Sequence, residues 1–87
     1  MTEEEIIAKT KEVFIETFEL NAADLRPEKH LFVDLGLDSL DTVDLIVALQ
    51  EKFDVKLRDD ERVRAVRTLQ DVYDYIMKVQ KEMASGS

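Results

Sequence analysis

Apolar residues recur at helical spacing in three long stretches of the chain, and the segments between them lack this period. The first stretch begins at Thr2, whose hydroxyl can cap a helix, and Glu5 completes the signature of a capping box. We expect this helix to end near Leu20. Its apolar face is predicted to consist of Ile6, Ile7, Thr10, Val13, Phe14, Thr17 and Phe18.

The second stretch runs from Ser39 to about Phe53, and at about 100° per residue it separates into two faces. The first face is apolar and is predicted to pack on the core: Thr42, Ile46, Leu49 and Phe53, flanked by Val43 and Leu45. The opposite face is mainly acidic, with two apolar residues at its edge: Asp41, Asp44, Ala48 and Glu51, joined by Leu40 and Val47.

The start of this second helix carries the most informative local pattern. Gly36 supplies backbone freedom, and Asp38 followed three residues later by Asp41 approximates a capping box. Ser39 is then the first helical residue, with its hydroxyl facing solvent. A phosphate esterified to that oxygen would lie beside unpaired amides at the positive end of the helix. Ser39 is therefore a candidate attachment point, and the alternative is that this run only caps a helix.

The segment from Asn21 to Asp38 shows no sustained period and contains the only proline, Pro27. Loops of this length are more often functional or packed by their own side chains. His30, the only histidine, is expected to be a solvated loop residue, and with no cysteine in the chain no metal site is predicted. The packing is predicted to come from Leu25, Leu31, Phe32, Val33, Leu35 and Leu37.

The region after Phe53 reads as a connector and a short helix that begins at 59–61 and presents Val63 and Val66 on one apolar face. Basic residues cluster here: Arg58, Arg62, Arg64 and Arg67. They either pair with nearby acids on the surface, which contributes little, or set a partner or cargo preference. Both interpretations stay open.

The third long stretch begins at Thr68, where Asp71 repeats the capping logic of the first two helices. Its apolar positions are Leu69, Val72, Tyr73, Ile76, Val79 and Met83. The last four residues, 84–87, are small and polar and are predicted to form a disordered tail. Residues 1–83 are thus expected to form one domain.

Composition narrows the function classes. A chain of 87 residues allows one small core, and the absence of an apolar run or signal-like start predicts a cytosolic protein without a membrane span. The net charge of −8 disfavours nucleic acid and favours partners with basic patches. With no cysteine, any thioester chemistry would need an imported thiol.

The run from Phe32 to Leu45, which contains Asp38-Ser39-Leu40, resembles the prosthetic-group attachment motif of acyl carrier proteins. The resemblance covers roughly residues 3 to 80. It implies an all-α fold, a small four-helix bundle with three main helices, one short helix and a long loop after the first helix. It also implies that Ser39 carries phosphopantetheine, derived from coenzyme A, whose thiol holds acyl groups as thioesters.

The resemblance further implies a partner surface on the second helix. Its acidic positions match Asp38, Asp41, Asp44 and Glu51, and its apolar positions match Leu40 and Val47. Gln50 and Lys52 depart from the family pattern, which often has glutamate there, so docking to the usual enzymes is expected to be altered. An acyl pocket would be lined by Leu45, Ile46, Leu49, Phe53, Val63 and Val66, unless these residues pack into a closed core.

By this resemblance the chain is a monomeric carrier and not an enzyme, and no nucleophile–base pair is visible in the sequence. Its partners would be a phosphopantetheinyl transferase and the enzymes that load and process acyl groups in fatty acid, polyketide or related lipid synthesis. Two alternatives remain: a peptidyl or D-alanyl carrier, and an acidic helical interaction module that is never modified.

Overall fold

The computed structural model describes residues 2–55, 57 and 65–85, the last three of them by their backbone alone. Helix α1 spans Glu3–Phe18, α2 spans Ser39–Phe53 and α3 spans Leu69–Ser85, with one turn of 3₁₀ helix at Ala22–Asp24. Helix α1 packs against both α2 and α3. The predicted all-α architecture with a long loop after the first helix is confirmed, and the short helix expected from residue 59 lies outside the described residues.

Helix α1 begins as predicted, because the Thr2 hydroxyl oxygen accepts a hydrogen bond from the Glu5 N–H at 3.2 Å. It ends at Phe18, two residues before the predicted end, since Glu19 adopts a left-handed conformation (φ 56°) that terminates the helix. Thr17, predicted to lie on the apolar face, is exposed. The buried positions of the helix are Ile6, Thr10, Val13 and Phe14.

The long loop is tied to the start of α3 by backbone hydrogen bonds. The Leu31 N–H donates to the Arg67 carbonyl at 2.8 Å, and the Leu69 N–H donates to the Lys29 carbonyl at 3.0 Å. His30 and Thr68 form an isolated antiparallel bridge between these contacts. The loop therefore has a fixed position although it has no helical period, and its buried side chains are Leu25, Leu31, Leu35 and Leu37.

Val33 is the exception to the predicted packing of the loop. Its side chain is 80% exposed, whereas Phe32 is half-buried against the core. Five successive residues from Leu31 to Leu35 form turns, so their side chains point in different directions and cannot all reach the interior. The prediction that Val33 packs inward is wrong for this reason.

Helix α3 starts with the predicted cap. The Thr68 hydroxyl accepts from the Asp71 N–H at 3.2 Å, and the Asp71 carboxylate accepts from the Thr68 N–H at 3.1 Å and the Arg67 N–H at 3.0 Å. Burial alone would raise the pKa of Asp71, but the hydrogen bonds from Arg67 and Thr68 and the charge of Arg67 outweigh it and lower that pKa. The cap is thus strongest when Asp71 is ionised.

The inner side of α3 supplies the largest share of the buried core. Its buried residues are Leu69, Val72, Tyr73, Tyr75, Ile76 and Val79. The Tyr73 hydroxyl is buried without a hydrogen-bond partner in the described part of the protein, and burial raises the pKa of Tyr73 to about 12. The helix continues through Ser85, so it enters the segment that the sequence predicts to be a tail. None of the described helices could cross a membrane.

Candidate functional site

The start of α2 is held by a complete capping box. The Asp38 carboxylate accepts from the N–H groups of Leu40 at 2.9 Å and Asp41 at 3.0 Å, and the Asp41 carboxylate accepts from the Asp38 N–H at 3.0 Å. Gly36 precedes the cap with φ 74°, a conformation in which any other residue would be strained. The predicted helix start is confirmed, and each of the two carboxylates accepts a hydrogen bond from the backbone N–H of the other residue.

Ser39 is the first residue of α2 and is exposed. Its hydroxyl makes no hydrogen bond within the described residues, because Asp38 provides the cap. A serine with this placement offers its oxygen to another molecule without loss of a structural contact.

The loop next to Ser39 is organised around His30. Its ring Nδ1 atom accepts hydrogen bonds from the backbone N–H groups of Phe32 and Val33, both at 3.2 Å. In the neutral ring the proton therefore lies on Nε2. The backbone N–H of His30 donates to the Asp34 carboxylate at 2.8 Å. His30 lies in the loop as predicted, but it is only partly exposed, and its ring shapes the turn that carries Phe32.

Ser39 also borders a cavity of about 300 Å³ between α2, the loop and the start of α3. Among the described residues, the side chains around this cavity are mostly aliphatic or aromatic. They are Leu31, Phe32, Ser39, Thr42, Val43, Leu45, Ile46, Leu49, Val66, Arg67, Val72 and Tyr75. The site thus combines an exposed hydroxyl and an apolar space of the size of a small ligand.

This cavity includes four residues of the acyl pocket drawn from the sequence: Leu45, Ile46, Leu49 and Val66. Phe53 belongs to the buried core instead and does not line the cavity, because it lies one turn beyond Leu49 at the end of α2. Val63 lies outside the described residues.

Sequence reasoning missed the wall that the loop and α3 contribute, notably Leu31, Phe32, Val72 and Tyr75. Val72 and Tyr75 are three residues apart on one helix, which was a usable signal, since such residues share a face. Leu31 and Phe32 had no comparable signal, because their position depends on the loop's hydrogen bonds to α3.

Residues 8–76 match the family described as "Phosphopantetheine attachment site". The match covers most of the chain. The protein belongs to this family of phosphopantetheine-bearing carrier proteins. Its covalent cofactor is phosphopantetheine, and the start of α2 fits that group, because it places a serine hydroxyl in solvent beside an apolar cavity. The interpretation as an unmodified interaction module is therefore disfavoured.

The outward side of α2 in this carrier protein is unusually apolar. Leu40 is 75% exposed, Val43 is 55% exposed and Val47 is 47% exposed. The spacing of these residues places them along one side of the helix, and Asp44 and Glu51 are exposed on the same element. We call Leu40, Val43 and Val47 the apolar ridge.

Two predictions on this helix need correction. Val43 was assigned to the core flank, but it is more than half exposed and belongs to the ridge. Ala48 was assigned to the polar face, but it is half-buried and packs against the core, since the face that α1 covers is broader than the predicted stripe. Asp38 and Asp41 remain candidates for partner contact, although both are already occupied in the cap.

The two departures from the family pattern have contacts within the chain. The Gln50 side-chain oxygen accepts from the Leu57 N–H at 2.9 Å, and Lys52 Nζ lies 2.7 Å from the Glu12 carboxylate and 3.7 Å from that of Glu16. The hydrogen bond and charge of Glu12 raise the pKa of Lys52, and Lys52 lowers the pKa of Glu12. Gln50 and Lys52 thus hold the end of α2 to its neighbours.

Proposed function

We propose that this carrier protein is an acyl carrier protein that bears phosphopantetheine on Ser39 and presents acyl intermediates to biosynthetic enzymes. The pathway would be fatty acid, polyketide or related lipid synthesis. The observation that carries the proposal is the placement of an exposed Ser39 hydroxyl on the border of an apolar cavity of about 300 Å³. When bound, the group supplies a long arm and a thiol, which a chain without cysteine lacks.

Attachment requires a phosphopantetheinyl transferase as partner. The Ser39 oxygen forms a bond to the phosphorus of coenzyme A that carries the pantetheine, the diphosphate linkage breaks, and the 3′-phosphorylated adenosine nucleotide leaves. The hydroxyl proton passes to a base of the transferase, because the Asp38 carboxylate beside Ser39 is engaged by two backbone N–H groups. The carrier supplies the nucleophilic oxygen and its fixed position, and we assign it no catalysis of its own.

The surface that would meet partner enzymes is the apolar ridge with the acidic residues beside it. Leu40, Val43 and Val47 offer apolar contact area, and Asp44 and Glu51 offer charges for basic patches. The ridge begins directly after Ser39, so an enzyme that docks on it brings its active site close to the arm.

The lining of the cavity favours an acyl cargo over the peptidyl or D-alanyl alternative. An aminoacyl group carries an ammonium ion, and burial of a charged group without a partner is costly. Most of the described side chains around this cavity cannot accept a hydrogen bond from such a group. An alkyl chain, in contrast, gains about 0.8 kcal/mol per buried methylene.

The test is the intact mass of the protein after incubation with coenzyme A and a broad-specificity phosphopantetheinyl transferase. We expect one phosphopantetheine on the wild type and on the control Ser85→Ala, and none on Ser39→Ala. Failure of the wild type to gain mass, under conditions that modify another carrier, contradicts the proposal.

Cargo class is tested on the modified protein by thermal unfolding after loading with octanoyl or with D-alanyl groups. We expect octanoyl to raise Tm relative to the unloaded form and D-alanyl to leave it unchanged. The reverse order would favour the D-alanyl carrier.

A further inference from the structure

Arg67 lies on the same cavity as Ser39, at the junction of the loop and α3. It is the one charged side chain among the described residues that line this cavity. Arg67 is exposed, so its charge is partly screened by solvent, but a cation at the border of an apolar space still attracts an anion that enters there.

Hydrogen bonds hold the backbone of Arg67, and one of its guanidinium nitrogens, in place. Its N–H donates to the Asp71 carboxylate at 3.0 Å, its carbonyl accepts from the Leu31 N–H at 2.8 Å, and its Nη1 donates to the Val66 carbonyl at 3.1 Å. The first two contacts belong to the helix cap and to the loop that borders the cavity. The backbone of Arg67 is therefore held at a fixed point beside the cavity, and one guanidinium nitrogen already donates a hydrogen bond within the protein.

The start of α2 is a poor anion site by itself. The N–H groups of Asp38, Leu40 and Asp41 are all taken by the capping carboxylates, so the expected unpaired amides beside Ser39 are largely absent. The same cap places two carboxylates next to the serine. A phosphodiester on Ser39 would add a negative charge at this place, and it needs a cation that the helix terminus does not provide.

We propose that Arg67 binds the anionic phosphodiester that joins the prosthetic arm to Ser39. The proposal rests on the attachment to Ser39 proposed above. The planar guanidinium can donate two parallel hydrogen bonds to phosphate oxygens, which an ammonium cannot do. This contact holds the first part of the arm at the cavity border and offsets the repulsion from Asp38 and Asp41.

The experiment uses the intact protein before and after modification, called apo and holo. In the wild type we expect the Arg67 Nε resonance to shift on conversion to holo, and the shift to shrink from low to about 1 M salt, where the Debye length falls to about 3 Å. We also expect the ³¹P resonance of holo protein to differ from that of the same protein unfolded in urea.

Arg67→Gln is the variant and Arg26→Gln is its charge-matched control, because Arg26 is exposed on the loop and does not line the cavity. We expect Arg67→Gln to move the ³¹P resonance toward its unfolded position and Arg26→Gln to leave it unchanged. An unshifted Arg67 Nε in wild-type holo protein, or an equal effect of both variants, overturns the proposal.

A carboxylate on the cargo is the other anion that Arg67 could bind. Holo protein is therefore compared with forms loaded with butyryl or malonyl groups, of which only malonyl carries a carboxylate. A shift of Arg67 Nε that appears with malonyl alone overturns the phosphodiester assignment. If the protein gains no mass, the attachment of phosphopantetheine to Ser39 is itself wrong. Failure of the attachment is thus distinguished from failure of the Arg67 contact before any resonance is recorded.

Discussion

Helices α2 and α3 begin with the same device and use their apolar residues differently. Both start with a reciprocal capping box, Asp38 with Asp41 and Thr68 with Asp71. The inner face of α3 accounts for six buried residues, whereas α2 leaves the whole apolar ridge exposed. The difference teaches that the ridge adds little to the buried core, which supports the proposal that it contacts other molecules.

The largest effect is expected from truncation of the α3 face. Ile76 is 1% exposed, so Ile76→Ala should lower the free energy of unfolding by about 2–5 kcal/mol through lost burial and the cavity left behind. Urea titration at pH 7 measures this. Val47→Ala on the ridge is the counterpart and should change it by no more than about 0.5 kcal/mol. If both variants lowered the free energy of unfolding by similar amounts, the ridge of α2 would stabilise the fold as much as the buried face of α3 does, and the comparison would fail.

The next largest effect is expected on enzyme affinity when residues of the apolar ridge are truncated. We expect Leu40→Ala and Val47→Ala each to weaken binding to a processing enzyme about tenfold, or about 1.4 kcal/mol, which would place them among the few contacts that dominate an interface. Titration calorimetry of the holo protein with the enzyme measures this, and Ile15→Ala, an exposed apolar residue on α1, is the control. Unchanged affinity with both ridge variants would show that docking occurs elsewhere.

A smaller effect is expected at the α3 cap. Asp71→Asn should cost about 0.5–2 kcal/mol at pH 7, as cap substitutions do. The folded pKa of Asp71 lies below its ordinary value of 3.8, so its contribution is complete above that pH and is lost as pH falls through the folded pKa. The gap between wild type and variant should therefore shrink as pH falls below about 4. A gap that widens in acid would contradict this.

The smallest effect is expected at the end of α2. Lys52→Gln removes the exposed pair with Glu12 and should lower Tm by at most a few degrees, and high salt should remove most of this difference. The affinity of Lys52→Gln for the enzyme should stay the same. Glu51→Gln should instead lower this affinity and leave Tm unchanged. A clear loss of affinity with Lys52→Gln would place this residue on the partner surface.

Local signals in the sequence were enough for the helix starts and for the exposure of Ser39. A capping box involves residues three apart, so Asp38 and Asp41 specify it without help from the rest of the chain. The same holds for Thr68 with Asp71. The family resemblance was likewise confirmed, because its motif lies in one continuous run.

Features that depend on tertiary packing were not predictable in the same way. Val43 lies at the boundary between the two faces of α2, and only the position of α1 and the loop decides on which side it falls. The loop wall of the cavity depends on the Leu31–Arg67 hydrogen bond between distant segments. The ion pair of Lys52 could not be predicted from local sequence either, because its partner Glu12 is forty positions away.

The two tyrosines give this protein a built-in optical signal. The chain has no tryptophan, and its tyrosines lie two residues apart, with Tyr73 sealed in the core and Tyr75 on the wall of the cavity. Filling of the cavity changes the surroundings of the Tyr75 ring, whereas the buried Tyr73 contributes a constant background to the same band. Near-ultraviolet circular dichroism can therefore follow entry of a cargo without any added label.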